Sequence, residues 1–298
     1  MTDERGLTWL ALPEQLLTAL LNFKKILTPD FFALSEAIWE VVGTVCLSLF
    51  VGLLFVVGLF VSVEIDSLRL SFGTVALAVV LLVLHAINRR LFRMLDEFVL
   101  GNQLVLTDYT LTDTFAAFSV LAAFFGVPFG IYWFVNSWEP MAIYGGSTFI
   151  LVLIYIASYF LNPQILNIRT SKEASIGENG ISYLSIFNGI GPARLMRLAY
   201  GIVMLNGFLM VAHGFFERLL ISGFHVTDAF SVYDISAGDL MGTGAAVILV
   251  DVALPLPLCL YIIVIHVFLD ALSSLVRAKN TEVAGISVEA ENDPLFPR

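Results

Sequence analysis

Apolar runs long enough to cross a bilayer recur six times along the chain, at about 38–62, 71–88, 113–135, 141–161, 198–222 and 243–269. A spanning helix needs roughly 18 or more apolar residues, and each run meets that length. The pattern before them differs. Between Trp9 and Leu27 the apolar residues Leu10, Leu16, Leu17, Leu20, Leu21 and Leu27 recur at helical spacing, with Glu14, Thr18, Asn22 and Lys25 on the opposite face. That predicts an amphipathic helix, lying in the cytoplasmic interface or packed against the bundle or a partner subunit, ended by Pro29. The predicted organisation is therefore an interfacial segment over 1–37, a six-span domain over 38–277, and an acidic cytoplasmic tail over 278–298 carrying Glu282, Glu289, Glu291 and Asp293.

The polar connections fix an orientation. With the N-terminus inside, the inner segments hold Arg5, Lys24, Lys25, Arg89, Arg90, Arg93, Arg169, Lys172, Arg194, Arg197, Arg277, Lys279 and Arg298, whereas the outer ones hold only Arg69 and Arg218. This asymmetry is what the positive-inside rule requires, and a miscounted span would scramble it. Six spans with both termini cytoplasmic, in a cell (inner) membrane, is the expected topology. Two inner connections, 89–112 and 162–197, read as short amphipathic helices, each broken by a turn at Gly101-Asn102 or Glu178-Asn179-Gly180.

Composition agrees with the pattern. Hydrophobic residues make up 58% of the 298 positions and charged residues 13%, against about a quarter charged in a soluble domain. The fold class is thus an all-α integral membrane bundle whose first partner is the lipid bilayer. A net charge of -10 argues against nucleic acid as a partner. Cys46 and Cys259 both fall inside spans, where small apolar filler explains them better than a disulfide or a zinc site. The opening Thr2-Asp3-Glu4-Arg5 is not followed by an apolar stretch with a cleavage site, so the first span is expected to act as its own insertion signal.

Candidate chemistry rests on the few polar positions inside the spans. Asp251 stands one turn before Pro255 and Pro257 in the last span. A carboxyl there costs roughly 2.5–3.5 kcal/mol on insertion scales, and such groups face a protein interior or a wet cavity. Counting depth from span midpoints sets Asp251 level with His213 of span five. His213 shares a helix face with Asn206, Met210 and Glu217. A polar site of Asp251, His213, Asn206, Glu217 and Pro255 is expected. The His–Asp pair would serve either a proton-linked step or a structural pin between the two spans. The prolines free the carbonyls of Asp251 and Ala253, which yields a kink or an ion-coordinating break. Glu40, His85 and His266 form a second candidate, an inner polar cluster, with interfacial solvation as the other reading of Glu36 and Glu40. Tyr144, Thr148, Tyr155 and Tyr159 line one face of span four, as in a hydrogen-bonded helix interface.

Catalytic signatures are scarce. His213-Gly-Phe-Phe-Glu217 has the wrong order for a zinc protease, so no metal is expected. Ser147 and His266 would suit an intramembrane serine protease only at equal depth, and their spans place them at opposite edges. No cofactor is expected. Two readings follow: ion- or proton-linked permeation through the polar site between spans five and six, or a non-catalytic membrane subunit whose 25 Phe residues pack against partner proteins or a second copy.

Overall fold

A computed structural model describes residues 28–101, 104–137, 140–162, 164–171, 176–221 and 240–291. The interfacial helix expected before residue 28 and the end of the acidic tail lie outside these residues. Helix α1 runs Pro29–Glu64. Pro29 therefore opens this helix. Its missing N–H falls where the first turn has no partner, and the Thr28 hydroxyl caps the Phe31 amide at 3.3 Å. A tight turn, with Asp66 at φ 52, leads into α2 (Leu68–Gly101).

The remaining elements are β1 (Leu104–Leu106), α3 (Thr110–Ser137), α4 (Pro140–Leu161), β2 (Ile168–Thr170), α5 (Ile176–Ser185), α6 (Gly191–Ile221), α7 (Leu240–Ala253) and α8 (Pro255–Glu291). A π-helical turn, Ile186–Ile190, joins α5 to α6 without a break. Pro192 has no N–H to donate back into that turn, and a Cβ on Gly191 would stand 2.6 Å from the Ile186 carbonyl oxygen. Wider winding and a glycine at the exit follow from those two residues. Six helical segments are long and apolar enough to cross a membrane: α1, α2, α3, α4, α5 through α6, and α7 through α8.

Three features depart from the sequence pattern. Residues 89–101 continue α2 in one piece and do not form a separate amphipathic helix. The two inner connections meet in a parallel ladder, Leu104 opposite Ile168, Val105 opposite Arg169 and Leu106 opposite Thr170, so the fold is not purely helical. Strands of three residues leave too short an alternation to register in the sequence, and their pairing is supplied by a partner more than sixty residues away. Finally, α8 carries on to Glu291, through most of the stretch expected as a tail.

Helix α6 is the hub. It packs against α1, α2, α4 and α7, and its Leu198, Ile202 and Met204 are fully buried. Two glycine contacts allow this. Gly201 lies against Gly43 and the Trp39 carbonyl of α1. Gly207 meets Gly244 and Ile248 of α7, where an added Cβ at Gly244 would stand 2.7 Å from the Gly207 carbonyl oxygen. Small residues that let backbones approach are what drives helices together in lipid, where burial of apolar surface gains nothing. Gly201→Val should therefore lower the detergent unfolding temperature by an amount equivalent to about 1–3 kcal/mol of overpacking. Gly52→Ala, a site with open space around it, should cost nothing. Equal effects of the two substitutions would show that the Gly201 contact is not what joins α1 to α6.

Candidate functional site

The Gly43–Gly201 approach brings two matching rows of charge face to face. On α1, Glu36 and Glu40 lie one turn apart; on α6, Arg194 and Arg197 do the same. Arg197 binds Glu40 at 2.8 Å and Glu36 at 3.6 Å, and Arg194 lies 3.6 Å from Glu36. Asp96 from α2 completes the group, 2.8 Å from Arg194 and in direct contact with Arg197. Arg89 joins Glu40 from the half-exposed side at 3.2 Å. Three carboxylates and three guanidiniums thus share one site. The Tyr159 hydroxyl donates to Glu36 at 2.8 Å, and Tyr155 bonds Ser35 and the Trp39 indole. The tyrosine face of α4 is accordingly a hydrogen-bonded interface with α1 at these two positions.

One turn further along α6, Tyr200 begins a second group. Its hydroxyl lies 2.7 Å from His85 Nδ1, and His85 Nε2 lies 3.3 Å from Thr44 Oγ1. The Thr44 hydroxyl donates its single proton to the Glu40 carbonyl at 2.8 Å. It must therefore accept from His85, which puts a proton on Nε2 and leaves Nδ1 and the Tyr200 hydroxyl to share one hydrogen bond. Asn88 of α2 neighbours the Tyr200 hydroxyl, and Asp251 lies within electrostatic reach of it. The Asn88 amide donates to the Val252 carbonyl at 2.8 Å. Asn88 Oδ1 and Asp251 Oδ2 are both buried without a hydrogen-bond partner, and Asp251 as a residue is only 7% exposed.

This geometry rearranges the expected site. Asp251 and His213 do not meet. The contacts of Gly207 with Gly244 and of Gly214 with Met241 run antiparallel, and extending them sets Asp251 opposite the turn Tyr200 to Met204, about 14–20 Å along the axis from His213. Matched depth assumed that both spans could be counted from their midpoints, but α7 and α8 together run Leu240–Val276 as an apolar segment, well beyond the predicted 243–269. His213 is exposed and faces Tyr144 of α4, with 3.3 Å between Nδ1 and the hydroxyl. Asn206 is buried and serves a different contact, accepting from Ser147 at 3.1 Å and donating to the Ile202 carbonyl at 3.1 Å. Glu217 is exposed near the end of α6. Pro255 is buried and marks a kink: Leu254 alone separates α7 from α8, and the amides of Leu254 and Leu258 still bond four residues back, at 2.8 and 3.2 Å.

The inner cluster is joined in part. Glu40 and His85 are linked through Thr44, whereas His266 lies apart on α8, 3.9 Å from Asp270 and edge-on to Phe98. Its helix follows the extension of α2 beyond the charged group, which carries His266 past Glu40. Among the described residues no group of three or more His, Cys, Asp or Glu is placed to hold a metal ion.

No family model matches the chain, and neither does any curated protein or solved structure. Chemistry alone must then say what the site does.

The six charges can be separated by their burial. Arg194 and Arg197 each leave Nε buried without a partner, so their heads are desolvated as well as paired. Removing one partner of a buried pair costs about 3–5 kcal/mol, but an exposed pair contributes only about 0.2–1 kcal/mol. Arg197, 21% exposed at its side chain against 49% for Arg89, lies between these limits. Arg197→Ala should cost about 2–3 kcal/mol, judged by that scale, and Arg89→Ala under about 1 kcal/mol. Unfolding in a graded denaturing detergent measures both, and a larger loss for Arg89 would contradict the assignment of Arg197 as the central cation.

Proposed function

We propose that the chain is a multi-pass protein of a cell inner membrane, with both termini cytoplasmic, that carries out proton-linked permeation or transport through a polar site at Asp251. The observation that carries the reading is the Asp251 carboxyl, buried at a helix kink with one oxygen unpartnered. An ionised carboxylate left so would pay heavy desolvation, which the neutral acid avoids. A buried acid that is stable only when protonated is a proton-binding group, and carboxyls inside membrane helices recur in proton relays.

Orientation is supported by the described cations. Arg89, Arg90, Arg93, Arg194 and Arg197 gather at one end of the bundle, and Arg69 lies near the other. The two layers are also suitably spaced. A rise of about 1.5 Å per residue sets Arg89 about 30 Å from Arg69, and Arg197 about 30 Å from Glu217, close to the thickness of a bilayer core.

A second reading, a non-catalytic subunit of a larger membrane complex, draws on α3, which exposes Phe118, Phe124 and Phe125 along its length. Lipid or a partner helix could cover that face. Stoichiometric co-purification of another membrane protein in mild detergent favours the subunit; a monodisperse lone species favours transport.

The transport reading is tested in proteoliposomes. Under an imposed potassium diffusion potential, wild-type protein should take up protons, read by a trapped pH dye. Asp251→Asn should abolish the uptake while leaving detergent stability unchanged or slightly raised, because the amide mimics the neutral acid. Unchanged uptake in Asp251→Asn would end the reading, and loss of the fold instead would make Asp251 a structural pin.

A further inference from the structure

We infer that the inner end of the bundle holds an anionic phospholipid, its headgroup in a polar cavity beside the β1–β2 ladder and its acyl chain against an apolar cavity next to it. The inference rests on the reading of the chain as membrane-spanning with this end inward, and it is independent of the role of Asp251.

The polar cavity has a volume of about 460 Å³ and is lined by Tyr109, Gln164, Asn167, Ile168, Arg169 and Thr170. The backbone shapes it. Asn167, at φ 55, gives its side-chain amide to the Val99 and Leu100 carbonyls at the end of α2, and the ladder then fixes Arg169 opposite Val105. Among the described residues, the side chains of Tyr109, Gln164, Arg169 and Thr170 meet no hydrogen-bond or ion-pair partner. Four unused donors, one of them a guanidinium, thus border one cavity. None of the described residues that line it is acidic. This chemistry suits a phosphate, which a guanidinium binds through two parallel N–H bonds, and it offers nothing to the ammonium of a zwitterionic headgroup.

The apolar cavity, of about 290 Å³, adjoins the polar one: Leu166 lines the first and the next residue, Asn167, the second. Phe115, Phe160 and Phe187 form its wall, with ring centroids 4.5, 5.4 and 6.1 Å apart. The π-helical turn and its exit contribute Ile186, Gly191 and Pro192; such turns recur at functional sites. Phe160, Leu166 and Ile186 are buried whereas Phe115 is 44% exposed, so the cavity opens towards the phenylalanine face of α3.

The order of the two cavities matches a lipid. Along α4, Ile156 and Tyr159 border the apolar cavity, and Gln164, past the helix end at Leu161, borders the polar one. Into α3, Tyr109 borders the polar cavity and Phe115 the apolar one, about 9 Å further along the rise. Both connections therefore set the polar cavity on the aqueous side and the apolar one on the membrane side. Tyr159 also bonds Glu36, so the change from apolar to polar falls at the level of the charged group. Basic pockets on the cytoplasmic side of a helical bundle suit anionic headgroups.

The test uses the full chain in nanodiscs of equal parts phosphatidylcholine and phosphatidylglycerol with matched chains. Lipids retained on release into mild detergent are counted by native mass spectrometry. Wild-type protein should retain phosphatidylglycerol over phosphatidylcholine by about 10-fold, as one charge-assisted hydrogen bond contributes. Arg169→Gln should abolish the preference, and Arg169→Lys, which keeps the charge without the planar fork, should keep part of it. Arg169 is exposed, so its replacement leaves the fold intact, which an unchanged unfolding temperature checks. Arg93→Gln removes an exposed cation outside the cavity and should change nothing; an equal loss there would trace the preference to general charge attraction and overturn the site. Glycerol phosphate separates a soluble source, because it carries the head without chains. Its failure to displace the lipid at equal concentration supports the inference, and displacement overturns it. Insertion into nanodiscs with no preference between the lipids also overturns it and leaves the membrane reading standing, whereas failure to enter nanodiscs overturns both.

Discussion

A buried and a part-buried carboxylate on one face of α1 can be held there only where two guanidiniums meet them, and this constraint sets the rest of the molecule. Glu36 and Glu40 face Arg194 and Arg197 across a crossing that Gly43 and Gly201 make close enough. Asp96 enters from α2 to bind both arginines, and Arg89 balances its charge. Once α1, α2 and α6 are joined at this level, positions one turn further along are fixed too. Thr44, His85 and Tyr200 are brought into line by the same three helices. The ion pairs thus act as a register mark for the polar groups beyond them, a use for which buried charge is well suited even where its net contribution to stability is small.

Much of the frame could be read from the sequence because its signals are long and redundant. Six apolar runs and a lopsided distribution of Lys and Arg each point to the same number of helices, and six helical segments of the required length are present. The link between Glu40 and His85 was legible for a similar reason, since both lie near the same ends of neighbouring spans. The partner of Asp251 was not. Depth within a span can be counted only if the span's ends are known, and α7 and α8 form a longer, kinked segment whose ends do not coincide with the apolar run. Asn88 escaped notice because it closes the apolar run of α2, where an amide passes for the beginning of a loop. Arg194 and Arg197 did carry a signal. Two arginines one turn apart, on a segment due to pack against a helix bearing two glutamates one turn apart, are a pattern of complementary charge visible in the chain itself.

The tyrosines show how a stripe on one face can divide its tasks. Tyr155 and Tyr159 bond α1, Tyr144 reaches His213 on α6, and Ser147 between them holds Asn206. Each contact satisfies a polar atom that lipid could not satisfy. The serine and histidine that resembled protease partners on paper are engaged separately, one with Asn206 and the other with Asp270.

The short parallel ladder has a consequence for assembly. Parallel strands cannot be joined by a tight turn and need a long crossover between them. Here the crossover is the entire α3–α4 hairpin, which leaves from β1 and returns at β2. The three rungs hold both ends of that hairpin together, so the ladder works as a latch across the two connections that bound it.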